Sequence, residues 1–139
     1  MKKLVGIFAF AMILAACIPN EANDNVLVIG DRFFITQVND IFVNTQEYMG
    51  RTIRYEGLFR TVDWFPTPHD SFIVYLYTMS CCGEDPIGFE VILPAGMRPL
   101  EDFVWVEVTG VVERSHGFPA IRATSIVEKP DFGAVFVWR

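Results

Sequence analysis

Arg51-Thr-Ile-Arg-Tyr-Glu-Gly-Leu-Phe59 alternates with a period of two: Ile53, Tyr55, Gly57 and Phe59 fall on one side, Thr52, Arg54, Glu56 and Leu58 on the other. That period marks a β-strand with one face turned toward a core. A glycine inside such a strand costs packing and marks a bulge or a bend. Gly57 therefore predicts a strand that coils strongly, as the wall of a small barrel must.

Toward the C-terminus the same pattern recurs. Residues 72–79 put Phe72, Val74, Leu76 and Thr78 on one face and Ile73, Tyr75, Tyr77 and Met79 on the other, which predicts a strand covered on both sides. Residues 87–93 alternate through Ile87, Phe89, Val91 and Leu93. Residues 103–112 do so through Val104, Val106, Val108, Gly110 and Val112, with Trp105, Glu107 and Thr109 on a half-solvated face. Residues 120–127 form the last core strand. Trp64-Phe-Pro-Thr-Pro-His-Asp70 reads as a loop, because two prolines remove ladder donors. Ser115-His-Gly-Phe-Pro119 reads as a hairpin-like connection and Pro94-Ala-Gly-Met-Arg-Pro99 as an exposed turn.

Toward the N-terminus, Val38, Ile41, Phe42 and Tyr48 follow helical spacing. They predict a helix over 37–44, extending to Tyr48, with Thr36 as N-cap and Gly50 as its stop. Residues 26–29 read as a short strand. Together the segments predict a mainly β fold: a small five-stranded OB-like barrel with one short N-terminal helix, a split sandwich of the same strands being the alternative. Residues 94–102 are too short and too rich in breakers for the helix that usually separates the third and fourth strands of such barrels.

The chain opens Met1-Lys-Lys, and an uncharged apolar run over 4–16 follows, ending in Leu14-Ala-Ala-Cys17. That run is shorter than the roughly 20 residues a membrane-spanning helix needs and ends in small residues, so it reads as a targeting segment. Leu14-Ala-Ala-Cys17 resembles the lipobox of bacterial lipoproteins, which implies cleavage before Cys17 and lipid attachment to its thiol. A secretory peptide without lipid, or an N-terminal membrane helix, is the alternative. The expected organisation is a lipoprotein-type signal peptide over 1–16, a lipidated cysteine and tether over 17–30, and the barrel domain over 31–139. The expected location is extracytoplasmic, lipid-anchored to the cell membrane or the outer membrane.

The full sequence has 11 basic and 17 acidic side chains; without residues 1–16, which hold Lys2 and Lys3, the balance is 9 to 17, a net −8. Such a surface repels phosphate backbones, and the arginines are scattered rather than clustered, so no nucleic-acid partner is expected. With Cys17 lipidated, Cys81 and Cys82 are the remaining thiols and no disulfide framework spans the fold.

Those two thiols sit in Thr78-Met-Ser-Cys-Cys-Gly-Glu-Asp-Pro86. Adjacent residues of a regular strand point to opposite faces, so both sulfurs reach one site only if the strand ends between them, as Gly83 and Pro86 suggest. Cys81, Cys82 and Asp85 offer ligands suited to Zn²⁺, and His69 or His116 from neighbouring loops would complete a set of four. The alternatives are a structural role, with Cys81 buried at a tight turn and Asp85 capping backbone N–H groups, and a redox role through a vicinal disulfide. Trp105 is the aromatic expected to join Cys81, Cys82 and Asp85 in ligand binding, on the barrel face where related folds hold extended ligands. No nucleophile triad, phosphate loop or paired-histidine motif occurs, and no catalytic residue is assigned.

The order Tyr48-Met-Gly50, Ile53-Arg-Tyr-Glu-Gly57, Met79-Ser-Cys-Cys-Gly-Glu-Asp85, Gly88, Trp105-Val-Glu-Val-Thr-Gly110 and Ile126 near Pro130 resembles the C-terminal soluble domain of an uncharacterised bacterial membrane-associated family regarded as permease subunits. The similarity covers about residues 31–132, and Cys-Cys-x-x-Asp is its sharpest element. The resemblance implies a domain held beside a membrane permease. Members of that family carry N-terminal transmembrane helices, whereas this chain carries one lipobox-like peptide. The functional expectation is a lipid-anchored binding or accessory domain for a metal ion or small ligand. A thiol-dependent or redox enzyme and a structural envelope lipoprotein are the alternatives.

Overall fold

The computed structural model describes residues 25–63 and 71–138. The readings of the signal peptide, Cys17 and the loop that holds His69 lie outside the described residues. In chain order come β1 (Leu27–Ile29), a 3-10 turn (Asp31–Phe33), α1 (Phe34–Val43), α2 (Thr45–Tyr48), β2 (Thr52–Val62), β3 (Ser71–Ser80), β4 (Gly83–Ile92), β5 (Trp105–Ser115), β6 (Phe118–Glu128) and β7 (Phe136–Val137). The fold is mainly β, as the alternating segments predict.

The seven strands form one mixed sheet in the order β1-β2-β5-β6-β4-β3-β7, and β2 also pairs with β3. The pairings therefore run in a ring through β2, β5, β6, β4 and β3; β4–β6 is parallel and the other four pairings of the ring are antiparallel. β2 divides its length on one edge: residues 53–55 hold β1, and residues 58–62 hold β3. Gly57 stands at the changeover. A Cβ there would lie 2.8 Å from Tyr75 O, and one on Gly88 would lie 2.1 Å from Val74 O. Side chains at either position would push β2 or β4 away from β3, so both strands approach β3 through residues that lack one.

Helix α1 begins three residues before its expected start, and Thr36 lies inside it rather than at its N-cap. The physical reason is the apolar face: Phe34, Ile35, Val38 and Ile41 are all buried, so burial draws the helix back to Phe34 without any side-chain cap. Phe33 N–H donates to Gly30 O at 3.3 Å, which turns the chain into the helix. At its other end the Tyr48 hydroxyl and the Asn44 amide both donate to the Asp40 carboxylate. These bonds hold the Asp40 carboxyl below its ordinary range and push the Tyr48 phenol up.

The rings of Phe34, Tyr55, Phe89 and Phe42 make a chain of contacts at centroid distances of 6.0, 5.6 and 5.6 Å, tying α1 to β2 and β4. Tyr55 is fully enclosed, donates to Val74 O at 3.2 Å, and burial pushes its phenol far above the usual value. Between β5 and β6 the register shifts at Thr109/Gly110, leaving Thr124 as the extra residue of a bulge. The Gly88→Ala variant should lose about 3 kcal/mol of unfolding free energy, because its methyl meets backbone that cannot yield without opening the β3–β4 ladder. Urea denaturation measures this, and a loss under about 0.5 kcal/mol would show that the close approach is not required.

Candidate functional site

Cys81 and Cys82 are the two residues of the turn between β3 and β4, whose flanking pair is Ser80 and Gly83. Ser80 Oγ accepts from Cys82 N–H at 3.4 Å and donates to Gly83 O at 3.1 Å, so one hydroxyl closes the turn from inside. Gly83 takes φ +139°, a conformation that side chains rarely adopt. Because the strand ends before Cys81, the two thiols are freed from strand alternation. Their sulfurs stand 3.3 Å apart, and both residues are exposed and unbridged.

Asp85 is three residues beyond Cys82 on β4, opposite Thr78 and exposed. His116 lies in the β5–β6 turn with φ +51°, followed by Gly117 at +89°, the left-handed pair of a two-residue hairpin. Its Nδ1 is 3.0 Å from Ser115 Oγ and 3.6 Å from Glu90, which is eight residues beyond Cys82 along β4, about 26 Å at a strand's rise. The fold thus joins the two sulfurs and keeps His116 apart from them. Among the described residues no group of three or more His, Cys, Asp and Glu is placed to hold a metal ion.

Trp105 is buried against the C-terminal segment rather than presented beside the thiols. Its ring meets Phe132 at 5.9 Å, and the Gly133 backbone packs so close that a Cβ there would be 2.6 Å from the indole. Its Nε1 donates to Glu56 Oε2 at 2.9 Å. Trp105, Arg54, Glu56 and Glu107 line a cavity of about 250 Å³ beside β1. Glu56 and Glu107 are directly opposite across β2 and β5, a repulsive pairing offset by Lys129 Nζ at 3.5 and 3.8 Å from them.

The family model described as the DUF1980 C-terminal domain matches residues 12–139, a span that takes in every strand and the thiol turn. The chain belongs to that family. No curated protein matches it. Membership in the DUF1980 C-terminal domain family carries no assigned chemistry, so the site must be argued from its own atoms.

Sequence reasoning overlooked the apolar surroundings of the thiol turn in this DUF1980 domain. Met79, in the second pair behind the turn, is 49% exposed. β7 pairs with β3 beside it: Phe136 stands opposite Tyr77 with rings stacked at 5.6 Å, and the next residue but one, Trp138, is 69% exposed. A two-residue strand has no period to read, although the run Val135-Phe-Val-Trp138 carries β-favouring residues throughout. Exposed apolar side chains around a polar turn suit contact with another surface. In the native state both thiols should react with a small alkylating agent at the rate of a free exposed thiol, without waiting for unfolding. Alkylation followed by mass across a urea series checks this, and reaction that tracks global unfolding would contradict the exposed placement.

Proposed function

We propose that this DUF1980 domain is a lipid-anchored, extracytoplasmic binding or accessory domain whose Cys81–Cys82 turn takes a thiophilic metal ion or small ligand beside a membrane permease. The observation that carries the reading is the 3.3 Å separation of two exposed sulfurs at the tip of a hairpin. The finer fold reading is an OB-like barrel, supported by the ring of pairings through β2, β5, β6, β4 and β3 and by the parallel β4–β6 pair.

The donor set fits half of a zinc site. Two sulfurs about 2.3 Å from a tetrahedral ion stand about 3.8 Å apart, so a small rotation of exposed side chains would open the present spacing to the required one. Cys81 and Cys82 would hold the ion as thiolates, and the ion would supply Lewis acidity and charge at the hairpin tip. The other positions would come from water or from groups on a partner, which the exposed Met79 and Trp138 help to seat. A site completed by a partner suits an accessory domain, because two thiolates alone fall short of the four protein ligands that close a structural zinc.

The domain purified without chelator under reducing conditions should carry one thiophilic ion per chain by elemental analysis. Cys81→Ser with Cys82→Ser should remove it and leave the circular dichroism spectrum unchanged. Loss of metal together with loss of fold would assign the thiols to structure, and a metal-free unaltered domain that also takes up no added zinc would overturn the metal reading. The thiol-enzyme reading instead requires fast alkylation below neutral pH that zinc does not slow.

The anchor is tested separately. In the bacterial host the unaltered chain should fractionate with membranes and incorporate labelled fatty acid, and Cys17→Ser should do neither. Membrane retention of Cys17→Ser without label would replace lipid by a membrane-embedded N-terminus.

A further inference from the structure

A second feature of the β3–β4 hairpin lies away from its thiol turn. Between the hairpin, α1 and the start of β6 is a cleft of about 430 Å³, within the size range of small-molecule sites. Neither cysteine lines it. Its walls are aromatic: Phe42 from α1, Tyr75 from β3, Phe89 from β4 and Phe118 from β6. Phe42 and Phe118 keep 41% and 58% of their surface in solvent, so apolar rings are left at the opening where a monomeric domain would ordinarily cover them.

Among the described residues, Glu90 is the one acidic or basic side chain in that lining. Its ion-pair neighbour among the described residues, His116 Nδ1, is 3.6 Å away, beyond hydrogen-bond reach, while that nitrogen is 3.0 Å from Ser115 Oγ. The carboxylate favours a positive charge, and the exposed rings of Phe42 and Phe118 at the opening accept a cation more readily than an anion. An anion would meet Glu90 and a chain of net charge −6. A sugar would find few partners among the described residues, whose remaining polar side chains in the lining are Asn39, Ser71 and Tyr75, the Tyr75 hydroxyl being 3.2 Å from that of Tyr77. Apolar walls meanwhile call for an apolar body on the guest.

We propose that this cleft binds a small organic cation, an amine or quaternary ammonium group on an apolar body, with its charge at Glu90 and its body among Phe42, Tyr75, Phe89 and Phe118. The site is independent of the dithiol reading and stands or falls without it. Octyltrimethylammonium below its micelle-forming concentration, and octanol as the neutral counterpart, are titrated calorimetrically into the full chain. The cation should bind saturably and about tenfold more tightly than octanol. Glu90→Gln should cancel that preference and leave octanol unchanged, Phe118→Ala should weaken both, and Glu128→Gln, which removes an equal charge elsewhere, should alter neither. Equal affinity for the two compounds, a loss in Glu90→Gln that Glu128→Gln shares, or no saturable binding would each overturn the proposal. Were Glu90→Gln to misfold by circular dichroism, the cation-to-octanol ratio in the unaltered chain would still decide.

Discussion

The backbone of Val74 and Tyr75 is approached from both sides by residues without a side chain. Gly57 on β2 comes within a Cβ's reach of Tyr75 O, and Gly88 on β4 within reach of Val74 O. These contacts let three strands come together closely around one point. Larger residues would hold the strands apart and flatten the sheet, and the ring of pairings would then lose either β2–β3 or β3–β4. Tyr55 reinforces the same point from within, since its hydroxyl, from the part of β2 that pairs with β1, donates to Val74 O.

β2 and β3 pair with each other over only part of their length, and the ends of the chain take the edges left open. Where β2 parts from β3, β1 takes the free edge of β2 at 53–55, and β7 takes that of β3 at 77–78, with Tyr77 N–H donating to Val135 O at 2.8 Å. Two short parallel strands thus occupy edges that would otherwise invite another chain. Trp105 fastens the segment leading to β7 by packing closely against Gly133 and Phe132, which accounts for its burial. An indole on the outer face of β5 is therefore part of how the C-terminal residues are held.

The ring strands were legible because most of them alternate over several residues, and the mid-strand glycine at 57 stands where β2 exchanges β1 for β3. Errors fell at ends. β4 starts at Gly83, four residues before the alternation begins, and takes in Pro86 opposite Tyr77. A proline is tolerated there because β6 pairs only with residues 90–92, leaving that edge of β4 open. The helix start was misplaced because Thr36 is a strong capping type, whereas Phe34 and Ile35 gain more from burial than a cap would return. At the site, the sequence made the Cys-Cys turn conspicuous, but the distance between His116 and the thiols depends on which strand lies beside which. The cleft escaped notice for the same reason: its lining comes from five separate elements, and Glu90 is an ordinary strand residue until α1 and β6 are folded around it.

That difference in origin separates the two proposed sites thermodynamically. A ligand stabilises a fold only to the extent that it prefers the folded chain, by an amount set by the ratio of its concentration to its dissociation constant. Cys81 and Cys82 are neighbours in any conformation, so an ion held by these two sulfurs alone finds nearly the same partners on the unfolded chain and adds little stability. The cleft exists only when α1, β2, β3, β4 and β6 are assembled, so a guest there contributes its whole binding free energy to the native state. A thiol turn whose occupancy barely touches folding can be filled and emptied without loosening the domain, which is what a site completed by a partner requires. The aromatic cleft is bound to the core through Phe89, and its occupancy cannot change without being felt by the fold.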